Sequence, residues 1–183
     1  MLPKYLEPFR DPRSRDPFGP FPLDERDLTS VTNKELSSLL TSAPIIHQYG
    51  ATKVVRLSEN LALKAGGSIL PGEAEILNLV ASKTSIRVPR VHRSFQVKDD
   101  TKYFGTFGYI VMDYVPGQPL DECWNCLSSD AQGRIASQVA GMIQEMQSFE
   151  LQNPGPIGGG PSRGRFFTDY SAGPFADTVE MEA

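Results

Sequence analysis

Apolar and polar positions change period several times along the chain, and each change marks a predicted element. Val31-Thr32-Asn33-Lys34-Glu35-Leu36 fits a capping box, with Thr32 as N-cap, Glu35 at N3 and Val31 and Leu36 at the staple positions, so a short helix is expected to about Thr41. Three β-type runs follow, Ile45 to Tyr49, Lys53 to Leu57 and Leu61 to Lys64, joined by Gly50-Ala51-Thr52 and Ser58-Glu59-Asn60. Short polar joints between such runs predict an antiparallel meander. After Gly66-Gly67 and Pro71-Gly72, Ala74, Leu77, Val80 and Ala81 recur at helical spacing to about Ser82. Val91 to Lys98 and Tyr109 to Tyr114 then read as two more strands around an Asp99-Asp100 turn, the second ending at Pro116-Gly117. Past that point Ser128 or Ser129 caps the most strongly patterned helix, whose stripe is Ile135, Val139, Met142, Ile143, Met146 and Phe149. The pattern predicts an α+β fold, a five-stranded antiparallel sheet with one inserted helix, followed by helices.

Glycine and proline set the expected boundaries. Pro3, Pro8, Pro12, Pro17, Pro20 and Pro22 lie among charges before residue 23, removing backbone donors and breaking both periods, so 1–27 is expected to be an extended or disordered arm. The sheet region is then 28–119 and the helical region 120–151, and 152–183, which opens on a Gly/Pro-rich stretch, is an irregular tail.

Composition narrows the function classes. Eighteen Lys and Arg against 22 Asp and Glu give a net charge of -4, so no domain-wide positive field would draw a nucleic-acid backbone. No run approaches the ~18 apolar residues of a membrane helix. Two cysteines and a charged, proline-rich start make a cytoplasmic setting the expectation.

The element order carries candidate chemistry. A third strand ending in Lys64, then a helix bearing Glu73 and Glu75, has the mechanics of a phosphoryl-transfer upper lobe, in which a strand lysine pairs nucleotide phosphates and a helix carboxylate holds it. The competing reading is a strand-end lysine beside a solvated acidic helix face.

The segments VVRLSENLALKAGG, PGEAEILNLV, TSIRVPRVHRSF, YIVMDYVPGQPLDECW, VAGMIQEMQS and RGRFFTDYSAGPF resemble the amino-terminal part of fungal proteins of the aminoglycoside phosphotransferase family, over about 31–175. That family is similar to choline and homoserine kinases and to protein kinases. The resemblance implies a protein-kinase-like upper lobe plus the first helices of a truncated lower lobe, and ATP- and magnesium-dependent phosphoryl transfer to a small-molecule hydroxyl. It implies Lys64 as the phosphate-pairing lysine, Glu73 as its helix partner with Glu75 the second choice, and Gly50-Ala51-Thr52 as the loop over the phosphates. It makes Ile110 to Val115 the hinge strand, whose backbone at Asp113, Tyr114 and Val115 would meet the adenine edge. The family's catalytic His-x-Asp with its Asn, and the later metal-holding Asp, have no counterpart: His47 leads into Gln48-Tyr49 and His92 into Arg93-Ser94. No catalytic base and no metal ligand are therefore assigned, and the chain alone is expected to be inactive. It reads as a truncated product, a shortened gene model or a degenerate paralogue. The alternative function is a non-catalytic, pseudokinase-type module that docks on a protein partner through the stripe Ile135, Val139, Met142, Ile143, Met146 and Phe149.

Other motifs are expected to be structural. Cys123-Trp124-Asn125-Cys126 follows a Pro-Gly linker rather than a strand, so half-buried packing beside Leu120 and Leu127 is expected in place of redox chemistry or zinc binding. Gly159 to Gly164 mimics a P-loop but continues Arg165-Phe166 where Lys and Ser or Thr belong. Asp169 and Asp177 are expected as loop residues, and His47 as a satisfied strand histidine.

Overall fold

The computed structural model describes residues 20–149, 151, 154–162 and 172–182. Two compact units appear: one holds the described residues up to Asn78 together with Val88–Pro116, and the other holds Leu79–Arg87 and the described residues from Gly117 onward.

The first unit is built on five antiparallel strands: β1 (Ile45–Tyr49), β2 (Thr52–Arg56), β3 (Leu61–Gly66), β4 (Val91–Lys98) and β5 (Thr106–Asp113), in the order β1-β2-β3-β5-β4. Helix α1 (Asn33–Ser42) precedes the sheet, and α2 (Pro71–Lys83) is inserted between β3 and β4. The α+β class and the inserted helix are as the pattern predicts. Thr32 accepts the Glu35 N–H at 3.2 Å, and the staple residues Val31 and Leu36 are both buried. Glu35 turns outward to Arg26 at 2.6 Å, whose hydrogen bond is the main cause holding its carboxyl below the usual range.

Side-chain alternation on β3 and β5 makes two cores. One face carries Leu63, Ala65, Tyr109 and Val111 against Leu36 and Val31 of the α1 region. The other carries Ile110 with Ile69 and Ala74, backed by Val91 and Met112. On the first face the Phe95 and Tyr109 rings stack with centroids 4.7 Å apart. Arg93 reaches the same side and donates to the carbonyls of Val31 at 2.5 Å and Leu28 at 2.7 Å, tying β4 to the chain ahead of α1.

Two expectations are corrected. The arm drawn over 1–27 does not hold for its described part: Phe21 and Leu23 are buried, and Leu23 N–H donates to Leu57 O at 2.8 Å. Proline density marks a segment without its own periodic hydrogen bonds, but two apolar side chains suffice to seat it on the sheet. His47 is exposed rather than satisfied in a core, because a bulge between Ile45 and His47 breaks the alternation of an edge strand. On α2, Ala74 is buried and Leu77 and Val80 half-buried, whereas Ala81 is exposed. Residues 1–19 lie outside the described residues.

In the second unit, α3 (Leu120–Cys123) runs into a 3-10 turn, and α4 (Ser129–Gln147) is capped by Ser128, which accepts the Ala131 N–H at 3.3 Å. Gln132 Nε2 donates to Trp124 O at 2.9 Å, and Glu145 accepts both the N–H and the hydroxyl of Ser85, at 2.6 and 2.9 Å. Among the described residues of the expected tail is a short helix, α5 (Thr178–Glu182), preceded by Asp177, which accepts the Glu180 N–H at 2.9 Å.

One position tests the second core directly. Gly108 of β5 faces Gln96 of β4, whose Nε2 donates to Ile69 O at 3.1 Å, and a Cβ on Gly108 would collide with that carbonyl oxygen. Gly108→Ala is expected to destabilise the protein by about 1–3 kcal/mol through overpacking. The check is a lower urea midpoint at unchanged slope; an unchanged midpoint would show that the loop ahead of α2 relaxes freely.

Candidate functional site

Lys64 stands on β3 between Leu63 and Ala65, both fully buried, so alternation turns its side chain to the opposite face, level with Val54 of β2 and Ile110 of β5. Helix α2 opens at Pro71, which suits a first helical position, and Glu73 lies in its first turn. Lys64 Nζ and Glu73 Oε1 form a hydrogen-bonded ion pair. The side chains keep 29% and 33% of their exposure, so the pair is shielded without being sealed. A lysine ammonium has three donors; with one on Glu73, the others remain able to meet an anion. Glu75 is exposed and on the far side of the helix turn, where it borders an open depression of about 340 Å³ with Asn78, His92 and Ser94. Of the two candidate carboxylates, Glu73 is the one that reaches Lys64.

The end of β5 is more restricted than its sequence suggests. Asp113 N–H donates to Arg90 O at 3.0 Å and Tyr114 N–H to Asn60 O at 2.8 Å. Among the described residues the Val115 N–H has no backbone partner, and Val115 is 65% exposed. Of the three expected edge residues, Val115 alone offers an amide donor that no described residue accepts from. The Asp113 side chain is also engaged, with Oδ1 2.6 Å from His92 Nε2 and Oδ2 accepting the Arg90 N–H at 3.1 Å. Because an ionised carboxylate only accepts, that geometry assigns the proton to Nε2. His92 occupies a bulge, since the register runs from Val91↔Met112 to Arg93↔Val111 and leaves it as the extra residue.

Gly50 and Ala51 form a two-residue hairpin turn, with Gly50 at φ +55°, and Thr52 already opens β2 opposite Tyr49. Positive φ is what a tight hairpin asks of its first turn residue, and glycine meets it without strain. Ala51 O and Thr52 Oγ1 each come within 3.0 Å of where a Cβ on Gly66 would stand, so the turn is pressed onto the end of β3. Thr52 lies two positions from Val54, the cross-strand neighbour of Lys64, and thus on the same face.

Arg93, Gln96 and the His92–Asp113 pair had no sequence signal, because each acts on a partner distant in the chain. The thiols Cys123 and Cys126 are free; Cys123 and Leu127 are half-buried as expected, whereas Cys126 and Leu120 are exposed, which corrects the expected half-buried packing for those two. Gly164, Arg165, Phe166 and Asp169 lie outside the described residues. On α4, Val139, Met142, Ile143 and Met146 are 40–46% exposed and Ile135 is half-buried, whereas Phe149, expected on the same stripe, lies past the helix end at Gln147 and is half-buried. Among the described residues no three His, Cys, Asp or Glu side chains converge.

Burial pushes the Asp113 carboxyl up, but the His92 hydrogen bond, the Arg90 N–H and the charges of His92 and Arg90 together leave it below the usual carboxylate range. A folded-state pKa below the unfolded one contributes stability above the unfolded value, about 3.9 for Asp, and that contribution is lost as pH falls through the folded value. Asp113→Asn should therefore lose less stability than the parent between about pH 4 and pH 2. Urea midpoints at both ends of that window provide the measurement, and equal losses would show that the pair contributes nothing to acid unfolding.

No protein-family model matches the sequence, and no curated protein matches it at a significant level.

Proposed function

We propose that the first unit is a nucleotide-binding lobe of the aminoglycoside phosphotransferase and protein-kinase type, which binds ATP through its phosphates at Lys64 and its base edge at Val115. The observation that carries this reading is the Lys64–Glu73 pair, a third-strand lysine held by the first turn of the inserted helix. In phosphoryl transfer, positioning and charge stabilisation do most of the work, and a lysine fixed by a carboxylate is the part that grips the phosphates. The Val115 amide, which no described residue accepts from, supports the second contact, and Thr52, which follows the short hairpin at Gly50-Ala51, stands on the Lys64 face of the sheet. ATP, once bound, would supply the transferable phosphoryl group. The chain's described residues would bind and orient it; no general base among them is assigned.

Two contacts from one open lobe should give weak affinity, with Kd for ATP of about 1 mM, corresponding to about -4 kcal/mol. Lys64→Met should abolish the heat of ATP binding while leaving the fold intact by circular dichroism. Submicromolar affinity, or a folded Lys64→Met variant that binds like the parent, would overturn the assignment.

A second reading, docking on a protein partner through α4, is favoured by the exposure of Val139, Met142, Ile143 and Met146 along one stripe. Each of these side chains is 40–46% exposed and so forgoes part of the roughly 1.5–3 kcal/mol that full burial of an apolar side chain gives. Met142→Glu with Met146→Glu should accordingly raise the concentration at which the protein stays monomeric in light scattering. If the parent is already a clean monomer and the double variant unfolds, the stripe is covered within the chain.

A further inference from the structure

Arg56 ends β2 and has an unusual set of partners. Its guanidinium carbon lies 3.7 Å from the centroid of the Tyr114 ring and 4.5 Å from that of Phe21. Nε donates to Ser58 O at 3.1 Å and Nη2 to Glu59 O at 3.0 Å. Among the described residues it makes no ion pair with a carboxylate, so its charge rests on two aromatic faces and two carbonyls. The same loop meets the other parties. Glu59 N–H donates to Asp24 Oδ1 at 2.8 Å, Asp24 Oδ2 accepts the Phe21 N–H at 2.7 Å, and Asn60 O accepts the Tyr114 N–H at 2.8 Å. Phe21 is thereby held on Arg56, Arg56 on Tyr114, and both the ring and the amide of Tyr114 are fixed one residue ahead of the free Val115 N–H.

We propose that Arg56 is a positioning residue for the base-binding edge, and that the segment Pro20–Asp24 is the strap that keeps it there. The proposal rests on the nucleotide reading above and adds to it how the edge is aimed. With the Tyr114 ring already covered by a guanidinium, that ring is not a platform for a base; what the arrangement fixes is the direction of the Val115 donor. The ligand chemistry this selects is a planar heterocycle presenting a hydrogen-bond acceptor at its edge. The phosphate contact at Lys64 is separate, since Arg56 touches neither Lys64 nor Glu73.

The experiment separates the two contacts by measuring ATP and inorganic triphosphate on the full chain and on Arg56→Met, Arg56→Lys and Phe21→Leu variants, each first checked for cooperative melting. Arg56→Met is expected to weaken ATP about tenfold, the loss of one net hydrogen bond at about 1.4 kcal/mol, and to leave triphosphate unchanged. Arg56→Lys, which keeps the charge but not the planar fork, should fall in the same direction, and Phe21→Leu, which keeps apolar bulk, should show a smaller loss. Lys64→Met should weaken both ligands. A folded Arg56→Met variant that keeps parental ATP affinity, or loses triphosphate equally, overturns the proposal. If the parent binds neither ligand, the nucleotide reading falls, and the positioning claim is decided by the Val115 amide alone. Its nitrogen-proton resonance and exchange rate should shift in Arg56→Met and Arg56→Lys, and an unmoved Val115 amide overturns the claim.

Discussion

Strand β3 is paired along both edges, to β2 and to β5, and it is packed on both faces. Everything in the first unit hangs on its register. Leu63 and Ala65 must face the α1 side and Lys64 the α2 side, and a slip of one residue would exchange them, placing an ammonium among Leu36, Val55 and Val111. The cost of burying an unpaired charge is what forbids that slip. The alanines contribute as well: Ala62 and Ala65 are buried positions with little side chain, which lets neighbouring layers approach the central strand closely. The strand therefore holds its place through burial on both sides, although Ala, Lys and Gly are poor strand formers by themselves.

The same register explains why one glutamate rather than another meets Lys64. Successive residues on a helix are turned by about 100°, so Glu73 and Glu75 point to nearly opposite sides. Ala74, between them, is buried with Ile69 and Ile110, and this fixes the rotation of α2 about its axis. Once Ala74 faces the sheet, the first-turn geometry gives Glu73 to Lys64 and leaves Glu75 beside the depression bordered by His92.

Local signals were legible wherever local forces decide. The Thr32 cap, the Val31–Leu36 staple, the extent of β1 and β4, and Ser128 at the head of α4 follow from period and capping chemistry, which act over a few residues. For Lys64 and Glu73, alternation and helical pitch place each on its own element, but their pairing is what the family resemblance implies, and the burial of Ala74 with Ile69 and Ile110 decides for Glu73 over Glu75. The rest depends on contacts between distant segments. Leu23 finds Leu57, Arg93 finds Leu28 and Val31, and Tyr114 N–H finds Asn60 O; no period within the chain announces any of them. Bulges are the other hidden element. One extra residue in β1 exposes His47, and one in β4 directs His92 to Asp113, where strict alternation would have placed both differently.

The lysine–glutamate contact also depends on a junction two residues ahead of α2. Ile69 is buried among Ala74 and Ile110, and its carbonyl is held by Gln96 Nε2 at 3.1 Å from across β5. That approach is open because Gly108, the residue between them, has no side chain, and the absence of a Cβ there is a geometric requirement rather than a need for unusual backbone angles. Among the described residues Gln96 Oε1 is buried without a hydrogen-bond partner, so the amide is held there by one bond and cannot be flipped without placing an oxygen against the Ile69 carbonyl. A buried polar atom left alone is tolerated where its other half fixes something of greater value to the fold. Here it fixes the entry of α2, and with it the reach of Glu73 to the central strand.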